Sequence, residues 1–129
     1  MPFLRSLAVP TLLLAGCVTN IDTSETVAAN KPGAYMVVIG KDYAPADLAP
    51  YAASLPPIYA KYGGEYVALT TDMQVMEGRD DMQAVIISAW PDAASARAFW
   101  TSPEYAEAIK LRDGIGTFDV VIVPALPYK

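Results

Sequence analysis

Short apolar runs alternate with stretches of helical periodicity along the chain. Four runs rich in β-branched and aromatic residues predict strands at residues 35–39, 65–70, 82–90 and 117–123. A bend after the second run predicts either an extension of that strand or a separate edge strand at residues 73–77. Glycine, proline and aspartate separate these runs, as expected for turns.

The longest helical pattern covers residues 46–63, where apolar residues recur at intervals of three and four. Pro56 and Pro57 interrupt it, because each lacks an amide donor and crowds the preceding turn. We therefore expect a kink or break near residues 54–57, with Ser54 as the cap of a second helical piece. The two glycines at 63 and 64 predict the end of the helix.

Two shorter helices are predicted from their start signals. Asp92 follows a proline and can cap a helix over residues 93–100. Ser102 is followed by a proline and a glutamate, which together are typical of a new helix start. Glycines at 114 and 116 end that piece before the last strand.

The resulting order is βαββαβ, which predicts an α+β, ferredoxin-like sheet with its helices on one face. The strands, however, are apolar on both faces: the fourth has Phe118, Val120 and Ile122 on one side and Val121 and Val123 on the other. A sheet with one wet face alternates apolar and polar residues. We therefore expect a homodimer whose sheets face each other, with cover by the C-terminal tail, residues 125–129, as the alternative.

The N-terminal segment has the layout of a lipoprotein signal peptide. Cys17 is the only cysteine and follows an apolar run that ends in Leu-Ala-Gly. Residues 1–16 are predicted to be the signal peptide, and residues 17–33 a lipid-anchored flexible tether to a domain at 34–124. The apolar run is too short for a transmembrane helix of about 20 residues. By analogy with lipoproteins of Gram-negative bacteria, Val18 favours the outer membrane, facing the periplasm.

Composition narrows the chemistry. The net charge of −5 argues against nucleic acid as a partner. The chain has no histidine, so a Ser-His-Asp triad and a His-ligated zinc or haem site are unavailable within it. We therefore expect no metal and no cofactor. Carboxylates, Lys, Tyr and Arg remain as possible acids, bases and anion-binding groups.

Five motifs stand in a recognisable order: LPPIYAKYGG at residues 55–64, EG at 77–78, ASARAFW at 94–100, SPEY at 102–105, and Arg112. Together they resemble the uncharacterised bacterial family labelled "domain of unknown function thirteen-thirty". The resemblance covers about residues 34–124. It implies the fold of the dimeric α+β barrel superfamily and a homodimer.

Three places depart from what members of that family tend to carry. Glu65 stands where an arginine is usual, and Thr70 and Thr71 stand where another arginine with a Gly-Gly pair is usual. Ala89 stands where the third strand usually ends with a glutamate. An anion site built on those arginines, or a base built on that glutamate, is therefore not carried over to this chain.

Two residues are candidates for catalysis. Arg112 can bind a carboxylate through two parallel hydrogen bonds; the alternative is a structural ion pair with Glu104, Glu77 or Asp113. Glu77 can act as an acid or base if the barrel buries it; the alternative is a turn residue beside Gly78.

Four aromatic residues are candidates for lining a ligand cavity: Tyr35, Tyr59, Trp90 and Tyr105. The alternative for each is packing in the core.

Three functions remain open from the sequence. The first is a lipid-anchored dimeric barrel that binds a small apolar or aromatic molecule. The second, implied by the superfamily, is a cofactor-free enzyme of the isomerase or monooxygenase type. The third is a structural or assembly module on the cell envelope.

Overall fold

The structure is a computed structural model that describes residues 31–127. Within that range four strands form one sheet: β1, Ala34–Lys41; β2, Glu65–Thr70; β3, Ala84–Trp90; and β4, Thr117–Pro124. They lie in the order β2-β3-β1-β4, and every neighbouring pair is antiparallel. The predicted ferredoxin-like α+β arrangement is confirmed.

Three helices pack on one face of this sheet. Helix α1 spans Ala49–Tyr62 and follows a 3-10 turn at Pro45–Leu48. Helix α2 spans Ala93–Trp100, and α3 spans Pro103–Ile109 and continues into a 3-10 turn at Lys110–Arg112. The core lies between α1, α2, α3 and the sheet.

The helix ends are fixed by the residues that predict them. The Asp92 carboxylate accepts a hydrogen bond from the Ser95 amide at 2.6 Å, and the Ser102 hydroxyl accepts one from the Tyr105 amide at 3.1 Å. Each satisfies an amide that the first turn of a helix leaves without a partner. Gly63 ends α1 at φ +80°, a left-handed angle that glycine adopts without steric cost.

Trp90 and Phe99 form the centre of the core, each about 1% exposed. Their ring centroids lie 4.9 Å apart, and Phe99 also contacts the rings of Tyr59 and Tyr105 at 4.8 and 4.6 Å. The indole Nε1 donates to the Ser88 hydroxyl at 2.9 Å, so this buried donor has a partner. Trp90 and Tyr105, two of the four aromatic residues predicted to line a cavity, are thus packed in the core.

Of the kink or break predicted near residues 54–57 of α1, the break is wrong. The helix runs without interruption through Pro56 and Pro57, and Ser54 does not cap a second piece. Its hydroxyl instead donates back to the Tyr51 carbonyl at 2.6 Å. Both prolines are exposed, as are residues 52 and 53, whose carbonyls would otherwise accept from amides at positions 56 and 57. Water can therefore replace the two lost helical hydrogen bonds.

The predicted strand or extension at residues 73–77 is also wrong, and β3 begins at Ala84 rather than at residue 82. Val75 is 43% and Met76 90% exposed, so the end of this apolar stretch does not pack on the sheet. The end of the connection is held by ion pairs, since Asp81 contacts Lys41 at 2.8 Å and Arg79 at 2.7 Å.

The second face of the sheet carries no helix in residues 31–127. Residues 34, 36 and 38 of β1 face the core, so Tyr35, Val37 and Ile39 lie on the opposite face. In β4, Val121 and Val123 lie on that same face and are exposed. We call this surface the outer face. It is apolar, as the sequence predicts.

The predicted signal peptide at 1–16, Cys17 and most of the tether at 17–33 lie outside the described residues. Within residues 31–127, no helix has the length and apolar character needed to cross a membrane.

Candidate functional site

A cavity of about 290 Å³ lies between α1 and the sheet. Its floor comes from the helix-facing residues of β1, β2 and β3, and its walls from α1 and the two 3-10 turns. We call it the α1 cavity. It is lined mainly by apolar and aromatic side chains: Val38, Tyr43, Pro45, Leu48, Tyr51, Ala52, Leu55, Tyr59, Tyr66, Leu69, Ile86 and Phe118, together with Gly40, Thr71, Ala84 and Arg112.

The cavity exists because the sheet carries small residues at this end. Gly40 of β1 and Ala84 of β3 are register partners on the helix-facing side. At the other end of the same two strands, Ala34 pairs with Trp90, whose indole fills the space under the helices. Because Gly40 and Ala84 carry no large side chain, the space between α1 and this end of the sheet stays open.

Aromatic rings hold the walls in place. On one side Tyr59 stacks on Tyr66, with ring centroids 4.5 Å apart and an interplanar angle of 21°. On the other side Tyr43 stacks on Phe118 at 5.7 Å. The backbone of Tyr43 is also tied to the Gln83 side chain by two hydrogen bonds, at 2.9 and 3.2 Å. The apolar walls are thus supported from both ends of the cavity.

Among the described residues that line the α1 cavity, Arg112 is the charged one. Its guanidinium carbon lies 4.3 Å from the ring centroid of Phe118 and 5.3 Å from that of Tyr51. Both distances are in the range of cation–π contacts. The 3-10 turn that follows α3 places Arg112 there, six positions before Phe118 in the chain.

None of the predicted ion pairs of Arg112 is formed within residues 31–127. Glu104 contacts Lys61 and Tyr62 instead. Arg112 Nη2 donates to the Tyr105 hydroxyl at 3.5 Å, and its buried Nε has no partner among the described residues. A buried donor without a partner costs about 1–3 kcal/mol, and more when charged.

Two tyrosine hydroxyls lie next to Arg112. The hydroxyl oxygens of Tyr51 and Tyr105 are 3.0 Å apart. Burial, and secondarily the neighbouring Tyr105, raise the pKa of Tyr51 well above its ordinary value, although the Arg112 charge opposes this. Burial likewise raises the pKa of Tyr59 and of Tyr66. These phenols therefore stay protonated at neutral pH and can act as hydrogen-bond donors.

The predicted site residues are only partly brought together. Tyr59 and Arg112 line the α1 cavity. Tyr105 does not line it but contacts Arg112. Tyr35 lies on the outer face, and Glu77 is exposed in the connection between β2 and β3. Trp90 lines a different, more open cleft of about 250 Å³.

Two of the altered family positions, Glu65 and Ala89, line this second cleft together with Trp90. They are register partners on β2 and β3. Thr70 lies outside it, and its hydroxyl accepts a hydrogen bond from the Asp72 amide at 3.0 Å. None of Glu65, Thr70 and Ala89 lines the α1 cavity, whereas Thr71, next to Thr70 in the altered pair, does.

Tyr51 and Phe118 belong to the site although neither is among the residues predicted for it. Both occupy apolar positions of a regular pattern, which is equally typical of core residues. A tyrosine on an apolar helix face is a signal for a polar partner, since buried phenols are usually hydrogen-bonded. The pattern does not, however, identify that partner.

The α1 cavity contains no carboxylate side chain among its described lining residues. Nor does the described part of the chain group three or more acidic or cysteine side chains where they could ligate a metal ion. The polar groups available are therefore a guanidinium, phenols and the Thr71 hydroxyl.

The four-stranded antiparallel sheet with its one helical layer defines a ferredoxin-like α+β fold. The chain belongs to the family described as Domain of unknown function (DUF1330), whose model matches residues 33–126. The resemblance drawn from the five motifs is confirmed. A comparison with curated proteins finds no match.

Several solved structures are similar in fold. A protein of unknown function from Rhodopseudomonas palustris is 18% identical, with a TM-score of 0.58, and the match covers 84% of this chain and 95% of that one. SnoaB, a cofactor-independent oxygenase from Streptomyces nogalater, is 19% identical, with a TM-score of 0.51 and coverage of 74% and 93%. The hydroxynitrile lyase of Passiflora edulis is 15% identical, with a TM-score of 0.55 and coverage of 77% and 99%. At these identities the likeness shows the fold alone.

Proposed function

We propose that this protein binds a small, mostly apolar or aromatic molecule in the α1 cavity. The observation that carries the proposal is the cavity itself: about 290 Å³ of space enclosed mainly by apolar and aromatic side chains. Ligand sites are typically concave, largely apolar and equipped with a few polar groups. Two fold neighbours, an oxygenase and a lyase, carry names that denote small-molecule chemistry, which supports the proposal at the level of fold only.

The proposal is one of binding rather than of proton transfer. Glu77, the carboxylate predicted as an acid or base, is exposed and does not line the cavity. Three of the phenols that line it, Tyr51, Tyr59 and Tyr66, have raised pKa values and are poor bases at neutral pH. The groups present suit the recognition of a ligand.

The test is to fill the cavity with a large side chain introduced on α1. Ala52 lines the cavity, whereas the adjacent Ala53, which is also exposed, does not. We expect neutral naphthalene and cinnamate esters, such as methyl 2-naphthoate, to raise the Tm of the full chain and of Ala53→Trp but not of Ala52→Trp. A ligand at 100 times its Kd adds about 2.7 kcal/mol of stability, enough to detect by thermal shift.

Two outcomes contradict the proposal. One is that no member of a panel of such esters produces a saturable shift in the wild type. The other is that Ala52→Trp responds as strongly as Ala53→Trp, which would place the binding elsewhere.

We further propose that the protein acts as a homodimer joined through the outer face. The support is the row of apolar residues that this face exposes, including Val121 and Val123. An exposed apolar patch of this kind is typical of an interaction site.

The proposed location is the outer membrane, facing the periplasm, with the protein anchored by acylated Cys17. The support is the sequence pattern around Cys17. We expect Cys17→Ser to move the protein from the membrane fraction to the soluble one, because the acyl chains supply the membrane affinity. Val18→Ser, next to the acylation site, is the control and should stay in the membrane fraction. Membrane-bound Cys17→Ser protein would contradict the anchor.

A further inference from the structure

We propose that the ligand of the α1 cavity is a carboxylate. Its acid group is bound by Arg112 and the Tyr51 hydroxyl, and its apolar body lies against the sheet. This inference rests on the proposed function, because it assumes that the α1 cavity is the binding site.

The first support is the charge balance of Arg112. Lys41, Lys61, Arg79 and Lys110 each form an ion pair with a carboxylate. Arg97 forms none but is exposed to water on α2. Arg112 differs from all of these, because it is half-buried against a cavity, has a fully buried Nε, and contacts no carboxylate within residues 31–127. A cation held in an apolar wall favours an anionic partner.

The second support is the orientation of the guanidinium. It packs on Phe118 at 4.3 Å and lies 5.3 Å from the Tyr51 ring centroid, so two aromatic rings hold it at the cavity wall. Its one hydrogen bond to a described residue is the long contact from Nη2 to Tyr105. The remaining Nη hydrogens are available for an acceptor. A planar guanidinium held in this way matches the two oxygens of a carboxylate.

The third support is a second donor beside the cation. Tyr51 lines the cavity, and its hydroxyl oxygen is 3.0 Å from that of Tyr105. When Tyr105 donates to Tyr51, the hydroxyl hydrogen of Tyr51 is left for a cavity occupant. Arg112 and Tyr51 then present donors on one wall, whereas Val38 and Ile86 on the sheet are apolar. This polarity fits a molecule with one acidic end and an apolar body.

The experiment compares 2-naphthoate with 2-naphthamide, which has nearly the same shape but no charge. Both are titrated into the full chain at pH 7 by calorimetry. We expect 2-naphthoate to bind at least about tenfold more tightly, which corresponds to about 1.4 kcal/mol. Arg112→Gln should remove this preference by weakening 2-naphthoate about tenfold while leaving 2-naphthamide nearly unchanged. Arg97→Gln, an exposed arginine outside the cavity, should leave both affinities at wild-type values.

The outcomes separate the two proposals. Equal affinity of the two compounds for the wild type overturns the carboxylate inference, while cavity binding stands. This comparison needs no variant, so it holds even if Arg112→Gln does not fold. Undiminished binding of 2-naphthoate to folded Arg112→Gln also overturns the inference. Tyr51→Phe keeps the ring that contacts Arg112 and should weaken only 2-naphthoate. If neither compound binds, the proposed function fails and the inference fails with it.

Discussion

At the scale of single residues, the tightest steric constraint on a core side chain lies where α1 ends against Trp90. A Cβ added to Gly64 would lie 2.5 Å from Cη2 and 2.8 Å from Cζ2 of the Trp90 indole. Such distances are well inside van der Waals contact. Gly64 is therefore required for space, in contrast to Gly63, whose left-handed backbone ends the helix.

We expect Gly64→Ala to lower the free energy of unfolding by about 1–3 kcal/mol, since overpacking a core forces rings or backbone to shift. The measurement is urea unfolding followed by tryptophan fluorescence. Its slope should stay unchanged, because the fold is retained.

The control is the same substitution in a Trp90→Phe background. Phenylalanine lacks the far ring atoms that the new methyl group would meet, so Gly64→Ala should cost clearly less there. An equal cost in both backgrounds would show that the methyl group does not act through the indole.

Single residues also differ in how far their contacts can be predicted from their neighbours in the chain. The caps at Asp92 and Ser102 are confirmed because a cap depends on residues three positions apart. The surroundings of Arg112 are not predictable in this way. Its contact with Tyr51 joins positions that only the packing of α1 on the sheet brings together.

At the scale of elements, α1 shows where a local rule is overridden. Two consecutive prolines predict a break, yet the helix is continuous because Tyr51, Leu55 and Tyr59 anchor one face on the core and the cavity. The prolines are exposed, so water can reach the two carbonyls that they leave without a helical donor. Packing of α1 on the core thus keeps the helix continuous, whereas the low helix propensity of proline alone would favour a break.

Helices α1 and α3 are linked by a polar contact as well as by the core. Glu104, in the first turn of α3, accepts hydrogen bonds from Lys61 and, at 3.1 Å, from the Tyr62 hydroxyl. The hydrogen bond from Lys61 is the main cause that lowers the pKa of Glu104 to about 2 from its ordinary value of 4.5. Protonation of Glu104 therefore opposes folding.

This shift predicts a pH dependence of stability. Because the pKa is lower in the folded state, the contribution of Glu104 is complete above pH 4.5 and is lost as the pH falls toward 2. We expect Glu104→Gln to be less stable than the wild type at pH 7, with the difference shrinking between pH 4.5 and 2. Urea unfolding at several pH values measures it.

Glu107→Gln on the same helix is the control, since Glu107 pairs with Lys110 inside one segment and links no second helix. A stability difference for Glu104→Gln that does not change with pH would contradict the assigned role.

At the scale of the whole molecule, the outer face is the main unpartnered surface of the described residues. Val121 of β4 is 53% exposed on this face and is the register partner of Val37 on β1. We expect Val121→Glu to convert the proposed homodimer into monomers, because a carboxylate in an apolar interface carries a large desolvation cost. Sedimentation velocity measures the change.

Leu111→Glu is the matched control. Leu111 is similarly exposed, at 44%, but lies in the 3-10 turn after α3 rather than on the outer face. It should leave the association state unchanged. A monomeric wild type, or a Val121→Glu variant that still associates, would contradict the proposed interface.

The sequence by itself determined the βαββαβ order, the helix caps at Asp92 and Ser102, the two apolar faces of the sheet and, through five motifs, the family. These features depend on periodicity and on residues close together in the chain. Only the tertiary structure decided that α1 is continuous, that Arg112 lacks a carboxylate among the described residues, and that Gly40 and Ala84 leave a cavity beneath α1. The reason is physical: each depends on which distant side chains fill, or leave empty, the same space.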